Sequence, residues 1–115
     1  MHEMSLAGGI LRVVEQACER EPFARVTRLT LQAGALAGVE ISALRFALEA
    51  MAPGTLLEGA EVDIDEVPGS AYCLGCGQSV PILSRTDDCP RCGSAMLQPT
   101  GGTELKVLDL IVHDE

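Results

Sequence analysis

Two Cys-x-x-Cys pairs constrain this chain more than any other feature of its sequence. Cys73 and Cys76 form the first pair, Cys89 and Cys92 form the second, and twelve residues separate the pairs. Two thiolates three residues apart can hold one metal ion from a tight turn, and the glycine after each pair supplies the positive φ that closes such a turn. Because two such turns complete a tetrahedron, the spacing predicts a structural zinc site with four cysteine ligands.

Disulfides and thiol redox chemistry are the other common uses of paired cysteines. A redox-active Cys-x-x-Cys normally occurs once, near the start of a helix, whereas this chain has two pairs in turn-like sequence. Disulfides suit secreted chains, but the opening Met1–Met4 lacks a basic region followed by an uninterrupted apolar run. We therefore favour zinc and expect a cytoplasmic location.

Composition limits the possible partners. Hydrophobic residues make up 47% of the 115 residues and aromatic residues only 3%, so Leu, Val, Ile and Ala must fill the core. The net charge is −9 and aromatic side chains are few, which disfavours binding to nucleic acid. Proteins that bind nucleic acid usually present a basic surface and aromatic side chains on which bases stack. The apolar runs are too short to span a membrane, so we expect no membrane insertion.

Hydrophobic periodicity predicts two helices and three strands around the cysteine segment. Apolar residues recur at helical spacing over residues 4–20 and 41–51, and they alternate with polar residues over 25–33, 60–65 and 104–112. Some 36 residues separate Val67 from Glu104, which is too long for a structureless loop. The cysteine segment is therefore predicted to be an inserted module, and the strands on either side of it are predicted to pair as neighbours.

The resulting fold class is α+β, with a small three-stranded mixed sheet and two helices, interrupted by a four-cysteine zinc-ribbon module. Residues 1–70 and 101–115 are predicted to form an α/β domain, and residues 71–100 a zinc-binding domain. The helix between the first two strands implies a parallel crossover, and the last strand is expected to run antiparallel to the second.

The N-terminus offers a second set of metal donors. The amine of Met1 and the backbone nitrogen and imidazole of His2 can form fused chelate rings, which suit the square-planar preference of Ni(II) or Cu(II). Glu3 could add an oxygen ligand. Alone this is a weak signal, since a histidine near a chain terminus usually lies in solvent.

Longer stretches of the chain resemble a known family. The opening Met-His-Glu together with a distal four-cysteine site resembles HypA (HypA/HybF), the nickel metallochaperone family of hydrogenase maturation. The similarity extends over nearly the whole chain and includes Met1–Leu6, Val26–Leu29, Gly34–Leu36, Gly38–Glu40 and Gly54–Thr55.

The resemblance implies that the chain delivers nickel to the large subunit of [NiFe] hydrogenase together with a HypB-type GTPase, and in some members assists urease maturation proteins. It implies that His2 and backbone nitrogens near it hold Ni²⁺ as cargo, with Glu3 and Glu40 as further candidates. Some members carry Asp where this chain has Glu40, so the reach of that side chain is open. Glu40 also stands at the start of the second predicted helix, where a carboxylate interacts favourably with the helix dipole.

Catalytic motifs are not recognisable in the sequence. It offers no plausible Ser/His/Asp or Cys/His set and no phosphate-binding loop, and the four cysteines leave zinc without an obvious open position. We therefore predict that the protein is not an enzyme. The alternative to nickel delivery is an interaction adaptor whose zinc ribbon contacts a partner and in which His2 is incidental.

Overall fold

The structure, a computed structural model, describes residues 3–114. Two helices and six strands follow one another along the chain. Their bounds are α1 Glu3–Arg20, β1 Arg25–Gly34, α2 Ile41–Met51, β2 Glu61–Val67, β3 Gly69–Cys73, β4 Ser79–Ile82, β5 Leu97–Gly101 and β6 Leu105–His113. The two predicted helices and the three predicted strands of the main sheet are confirmed, with ends that differ by one or two residues.

Helix α1 buries one narrow stripe and exposes the rest. Ala7, Ile10 and Val14 are its buried residues, and their spacing of three and four places them on one face. The helix ends at Arg20, shortly before Pro22, whose ring cannot continue a helix. The amphipathic pattern of the sequence is therefore sufficient to explain this element.

Helix α2 begins and ends at local signals. Glu40 is its N-cap, and the Glu40 carboxylate accepts a hydrogen bond from the Ala43 backbone N–H at 2.6 Å. Met51 is its last residue, followed by Pro53 and Gly54, which stop the helix as predicted. Leu44, Ala47 and Leu48 are buried, so α2 also presents one apolar face to the core.

The first sheet has the order β2-β1-β6. Ala24 donates its N–H to the His113 carbonyl at 2.8 Å, and Gly34 donates to the Glu104 carbonyl at 3.0 Å, so β6 runs antiparallel to β1. On the other side of β1, Val26 N–H bonds the carbonyl of residue 56 and Ala35 N–H bonds that of residue 67, so β2 runs parallel to β1. The predicted mixed sheet is therefore confirmed.

The predicted pairing of the strands on either side of the zinc module is wrong. Strand β1 lies between β2 and β6, so the last strand is antiparallel to the first strand and not to the second. The physical reason is burial, because the central strand of a sheet must be apolar. Strand β1 buries Val26, Leu29, Leu31 and Ala33, whereas β2 carries four carboxylates in seven residues.

The second sheet has the order β4-β3-β5 and is antiparallel throughout. Ala71 of β3 lies opposite Val80 of β4 and Pro99 of β5, and the register with β5 shifts between Ser70 and Ala71. Of the three strands, the spacer between the cysteine pairs contributes only β4. Strand β4 pairs with β3, which comes before the first pair, so the first cysteine turn lies in the β3–β4 connection.

The chain divides into two compact units. The first comprises Met1–Leu31, Val39–Ile64 and Val107–Glu115, and the second comprises Gln32–Gly38 and Asp65–Lys106. The segment 71–100 thus lies wholly within the second unit. In the part of the chain that the structure describes, no helix is long and apolar enough to cross a membrane.

Candidate metal centres

The four paired cysteines converge on one point. The Sγ atoms of Cys73, Cys76, Cys89 and Cys92 all lie within 4.8 Å of one another, with Cys73–Cys92 at 3.6 Å and Cys76–Cys89 at 3.9 Å. A tetrahedral ion with Zn–S bonds of about 2.3 Å holds its sulfurs about 3.8 Å apart. The donor set and its spacing therefore fit zinc, and all four cysteines are free thiols without a disulfide.

Each cysteine pair sits on a turn of the same construction. Gly77 N–H donates to the Cys73 carbonyl and Gly93 N–H to the Cys89 carbonyl, both at 2.8 Å. The φ angles of the two glycines are +69° and +78°, in the left-handed region that favours glycine. The predicted role of the glycine after each pair is confirmed, because a side chain at either position would strain the turn.

Backbone amides and burial set unequal acidities in the thiols when metal is absent. Burial raises the pKa of Cys89, but hydrogen bonds from the Cys92 and Arg91 N–H groups to its sulfur, at 3.5 and 3.4 Å, outweigh it and lower the pKa to about 6. Burial and hydrogen bonding with the other cysteines raise the pKa of Cys76 to about 12. Without metal, Cys89 is therefore the readier of these two thiols to ionise, and zinc must displace a proton from Cys76.

The surroundings of the cluster indicate a structural role. Cys73 and Cys89 are buried and pack in a small core with Leu36, Ala71 and Val80, among other residues. Cys76 is partly buried and Cys92 is exposed. With four sulfur donors from the chain, the site offers a metal ion no open position for substrate, as expected for a structural zinc site.

The predicted nickel donors fall partly outside the structure. Met1 and His2, the nitrogen donors of the predicted chelate, lie outside the described residues. Glu3 is the first residue of α1, and its Oε2 accepts a hydrogen bond from the Glu40 backbone N–H at 3.2 Å. The structure therefore places both predicted oxygen donors, Glu3 and Glu40, near the start of α2.

Both carboxylates accept hydrogen bonds from backbone N–H groups at the N-terminus of α2. Glu40 accepts from Ala43 at 2.6 Å, and Glu3 accepts from the amide of Glu40 itself. Free N–H groups at a helix N-terminus favour such carboxylates. Sequence reasoning placed Glu40 at the start of the helix but missed its contact with Glu3, because residues 37 positions apart carry no spacing signal.

The remaining histidine and cysteine lie away from these groups in the sequence. His113 ends β6 and is exposed. Cys18 is partly buried on α1, and its thiol donates to the Phe23 carbonyl at 3.2 Å. Among residues 3–114 the four-cysteine cluster is the only group of three or more Cys, His, Asp or Glu side chains arranged to hold a metal ion.

Fold and cluster together define a small α+β protein that carries a four-cysteine zinc-ribbon module. The profile of the HypA family, described as "Hydrogenase/urease nickel incorporation, metallochaperone, hypA", matches residues 1–112. The chain belongs to this family, which confirms the resemblance noted in the sequence.

Individual relatives and solved structures agree with this assignment. The hydrogenase maturation factor HypA of Polaromonas naphthalenivorans is 59% identical over 115 residues and covers all of both chains. That of Cupriavidus necator is 58% identical over 114 residues, covering 99% of this chain and 96% of its own. The solution structure of the Ni metallochaperone HypA from Helicobacter pylori matches with a TM-score of 0.71 at 21% identity, covering all of both chains, which supports the fold.

Proposed function

We propose that the protein binds Ni(II) at its N-terminus and delivers it during maturation of [NiFe] hydrogenase, while zinc on the four cysteines has a structural role. The observation that carries this proposal is the family match over residues 1–112. That range includes the opening Met-His-Glu and all four clustered cysteines, so the match covers both sets of proposed metal donors.

The nickel donors we propose are the Met1 amine and the backbone nitrogen and imidazole of His2. Nitrogen donors in fused chelate rings favour square-planar Ni(II) over zinc. Glu3 and Glu40 are further candidates, supported by the hydrogen bond of 3.2 Å from the Glu40 backbone N–H to the Glu3 carboxylate. Both carboxylates accept hydrogen bonds from backbone N–H groups at the start of α2, and their negative charge attracts a dication.

Delivery requires release, and the two proposed sites differ in this respect. A site at the first residues of the chain can exchange its ion through contact with another protein, whereas four cysteines at the turns of a folded module hold theirs. We propose a HypB-type GTPase and the hydrogenase large subunit as partners, and urease maturation proteins as further ones. We also propose that the protein acts in the cytoplasm and has no catalytic activity of its own.

Nickel titration of untagged protein with a native N-terminus tests this proposal. We expect one Ni(II) per chain by calorimetry, a ligand-field band of square-planar nickel in the visible spectrum, and unchanged zinc content. His2→Ala should abolish tight binding without loss of fold. His113→Ala is the matched control, because the chain has only two histidines. If zinc-loaded native protein binds no nickel, or if both variants bind it equally well, the proposal is wrong.

A further inference from the structure

A pocket of about 300 Å³ lies at the C-terminal end of α2, within the first compact unit. The last turn of α2 and the connection to β2 form its walls. Seven of the nine lining residues are apolar or glycine, among them Leu48, Leu57 and Val62. The other two are Glu49 and Glu58. Apolar walls around two carboxylates suit a ligand that is apolar along its length and positively charged at its end.

The backbone adds negative partial charge at the same end of α2. Pro53 has no N–H to donate to the Glu49 carbonyl, four residues earlier. Gly54 donates its N–H to the Glu58 carboxylate at 2.7 Å, and Thr55 donates to the carbonyl of the C-cap residue at 3.0 Å. The last three carbonyls of α2 therefore lack their usual helical donors, and the last turn contains no basic side chain.

The two carboxylates of the pocket have no cationic partner in the described part of the chain. Neither Glu49 nor Glu58 forms an ion pair among residues 3–114. Arg45 lies one turn before Glu49, but its Nη1 donates to the Val62 carbonyl at 2.6 Å. A backbone N–H fixes one oxygen of Glu58, and the other oxygen is available as an acceptor. The pocket thus presents a prepositioned carboxylate without a cation.

We propose that this pocket binds an arginine side chain of a partner protein. The methylene groups of the arginine pack on Leu48 and Leu57, and its guanidinium group meets Glu49 and Glu58. A guanidinium group is more weakly hydrated than an ammonium group, so arginine enters an apolar pocket at lower cost than lysine. A divalent metal ion fits worse, because it needs about six oxygen ligands and the walls here are mostly apolar.

The surroundings of the pocket favour a basic partner segment that is also partly apolar. The first compact unit contains twelve acidic and five basic residues, so it attracts a basic segment over a longer range. Phe46 is 70% exposed and precedes Glu49 by three residues on α2. Residues at this spacing are neighbours on a helix surface. We therefore expect the partner to carry an apolar residue beside its arginine.

The proposal does not depend on nickel binding, and its test uses zinc-loaded full-length protein. The probe is the acetylated and amidated peptide Gly-Leu-Arg-Leu-Gly, titrated while the amide chemical shifts of the protein are followed by NMR. We expect the shifts to concentrate in residues 48–62, with a dissociation constant of about 1 mM or lower. A matched peptide with citrulline in place of arginine keeps the shape and removes the charge. It should bind at least about tenfold more weakly.

Variants of the protein locate the contact. Glu49→Gln and Glu58→Gln each remove one charge with little change of shape, and an amide oxygen at position 58 can still accept from Gly54. Each should weaken binding of the arginine peptide about threefold or more and leave the citrulline peptide unaffected. Glu19→Gln is the matched control, because Glu19 is exposed on α1 and does not line the pocket. Ala52→Leu fills the pocket and should weaken both peptides. Circular dichroism and zinc content check the fold of each variant.

Several results would overturn the proposal. An arginine peptide that shifts no amide in residues 48–62 at about 10 mM shows that the pocket does not bind it. Equal affinity for the arginine and citrulline peptides shows a purely apolar site. Equal weakening by Glu19→Gln and Glu58→Gln shows that only net charge acts. Spermidine that binds residues 48–62 more tightly than the arginine peptide assigns the pocket to a free polyamine instead of a partner protein.

Discussion

Gly34 is the position where one methyl group should cost most. A Cβ added to Gly34 would lie 2.7 Å from the Gly102 Cα and closer still to the Gly102 carbonyl group, whereas ordinary contacts of this kind are 3.4–4 Å. The backbone at Gly102 has little room to move away, because it packs closely on Gly69 on its other side. A Cβ built on Gly102 would lie 2.6 Å from the Gly69 Cα. Three backbone segments therefore meet at glycines, and Gly34→Ala must displace at least one of them.

The size of the effect follows from the contacts that the displacement breaks. Leu36 N–H donates to the Gly102 carbonyl at 2.8 Å, and Gly34 N–H donates to the Glu104 carbonyl at 3.0 Å. Overpacking costs about 1–3 kcal/mol and a lost backbone hydrogen bond about 1 kcal/mol. The lower entropy of unfolded Ala offsets about 0.4–1 kcal/mol. We expect Gly34→Ala to lower the free energy of unfolding by about 2–3 kcal/mol.

Urea denaturation of zinc-loaded protein measures this change. Circular dichroism follows the whole chain, and fluorescence of Tyr72 follows β3, because Tyr72 is the only tyrosine and the chain has no tryptophan. Gly9→Ala is the matched control. Gly9 lies inside α1 with nothing within 4 Å of an added Cβ, so the same substitution should stabilise the protein there by about 1 kcal/mol.

The decisive result is that the free energy of unfolding falls in Gly34→Ala and rises in Gly9→Ala. If Gly34→Ala leaves the midpoint of the fluorescence transition unchanged, the backbone segments at Gly34 and Gly102 are not close enough for an added methyl group to displace them. A loss of stability of similar size in Gly9→Ala would instead show that any added methyl group is harmful, which would remove the special role of Gly34.

Three further outcomes follow from the metal centres and from α2. Cys76→Ser should release zinc and disorder residues 71–100, whereas Cys18→Ser should retain full zinc content, as measured by metal analysis and amide exchange. Glu40→Ala should lower the free energy of unfolding by about 1 kcal/mol and Glu40→Ser by much less, since serine also caps helices; equal losses in urea denaturation would argue against the cap. Two residues added before Met1 should weaken nickel binding in calorimetry if its amine is a ligand, and unchanged affinity and ligand-field spectrum would exclude that amine.

The Glu40 pair of variants also separates two roles of this side chain in nickel binding. Serine keeps the cap but removes the carboxylate. Nickel affinity that survives in Glu40→Ser but falls in Glu40→Ala would indicate that Glu40 acts by holding the start of α2. A loss in both would indicate that its carboxylate takes part in binding.

Local pattern was enough to predict the helices and the strands of the main sheet. Helix α2 begins and ends where the sequence predicts, at Ile41 and Met51, because its cap at Glu40 and the stop at Pro53 act within a few residues. The cysteine cluster was equally predictable. Each Cys-x-x-Cys pair determines its own turn, and one metal ion requires the two turns to meet.

Long-range arrangement was not predictable in the same way. Alternation shows that β2 and β6 are strands but not which strand lies between them, since the order β2-β1-β6 depends on how burial is shared over the whole sheet. The strands β3, β4 and β5 are only four or five residues long, and two of them contain proline, so no alternating pattern identifies them.

Sequence by itself therefore determined the helices, the strands of the main sheet, the cysteine cluster and the family resemblance, since each rests on residue types at short spacing. Only the tertiary structure decided the strand order, the meeting of backbones at Gly34 and Gly102, and the contact of Glu3 with the amide of Glu40. These features join residues that are dozens of positions apart. The free energy that brings such residues together comes from packing the whole chain, which no local pattern records.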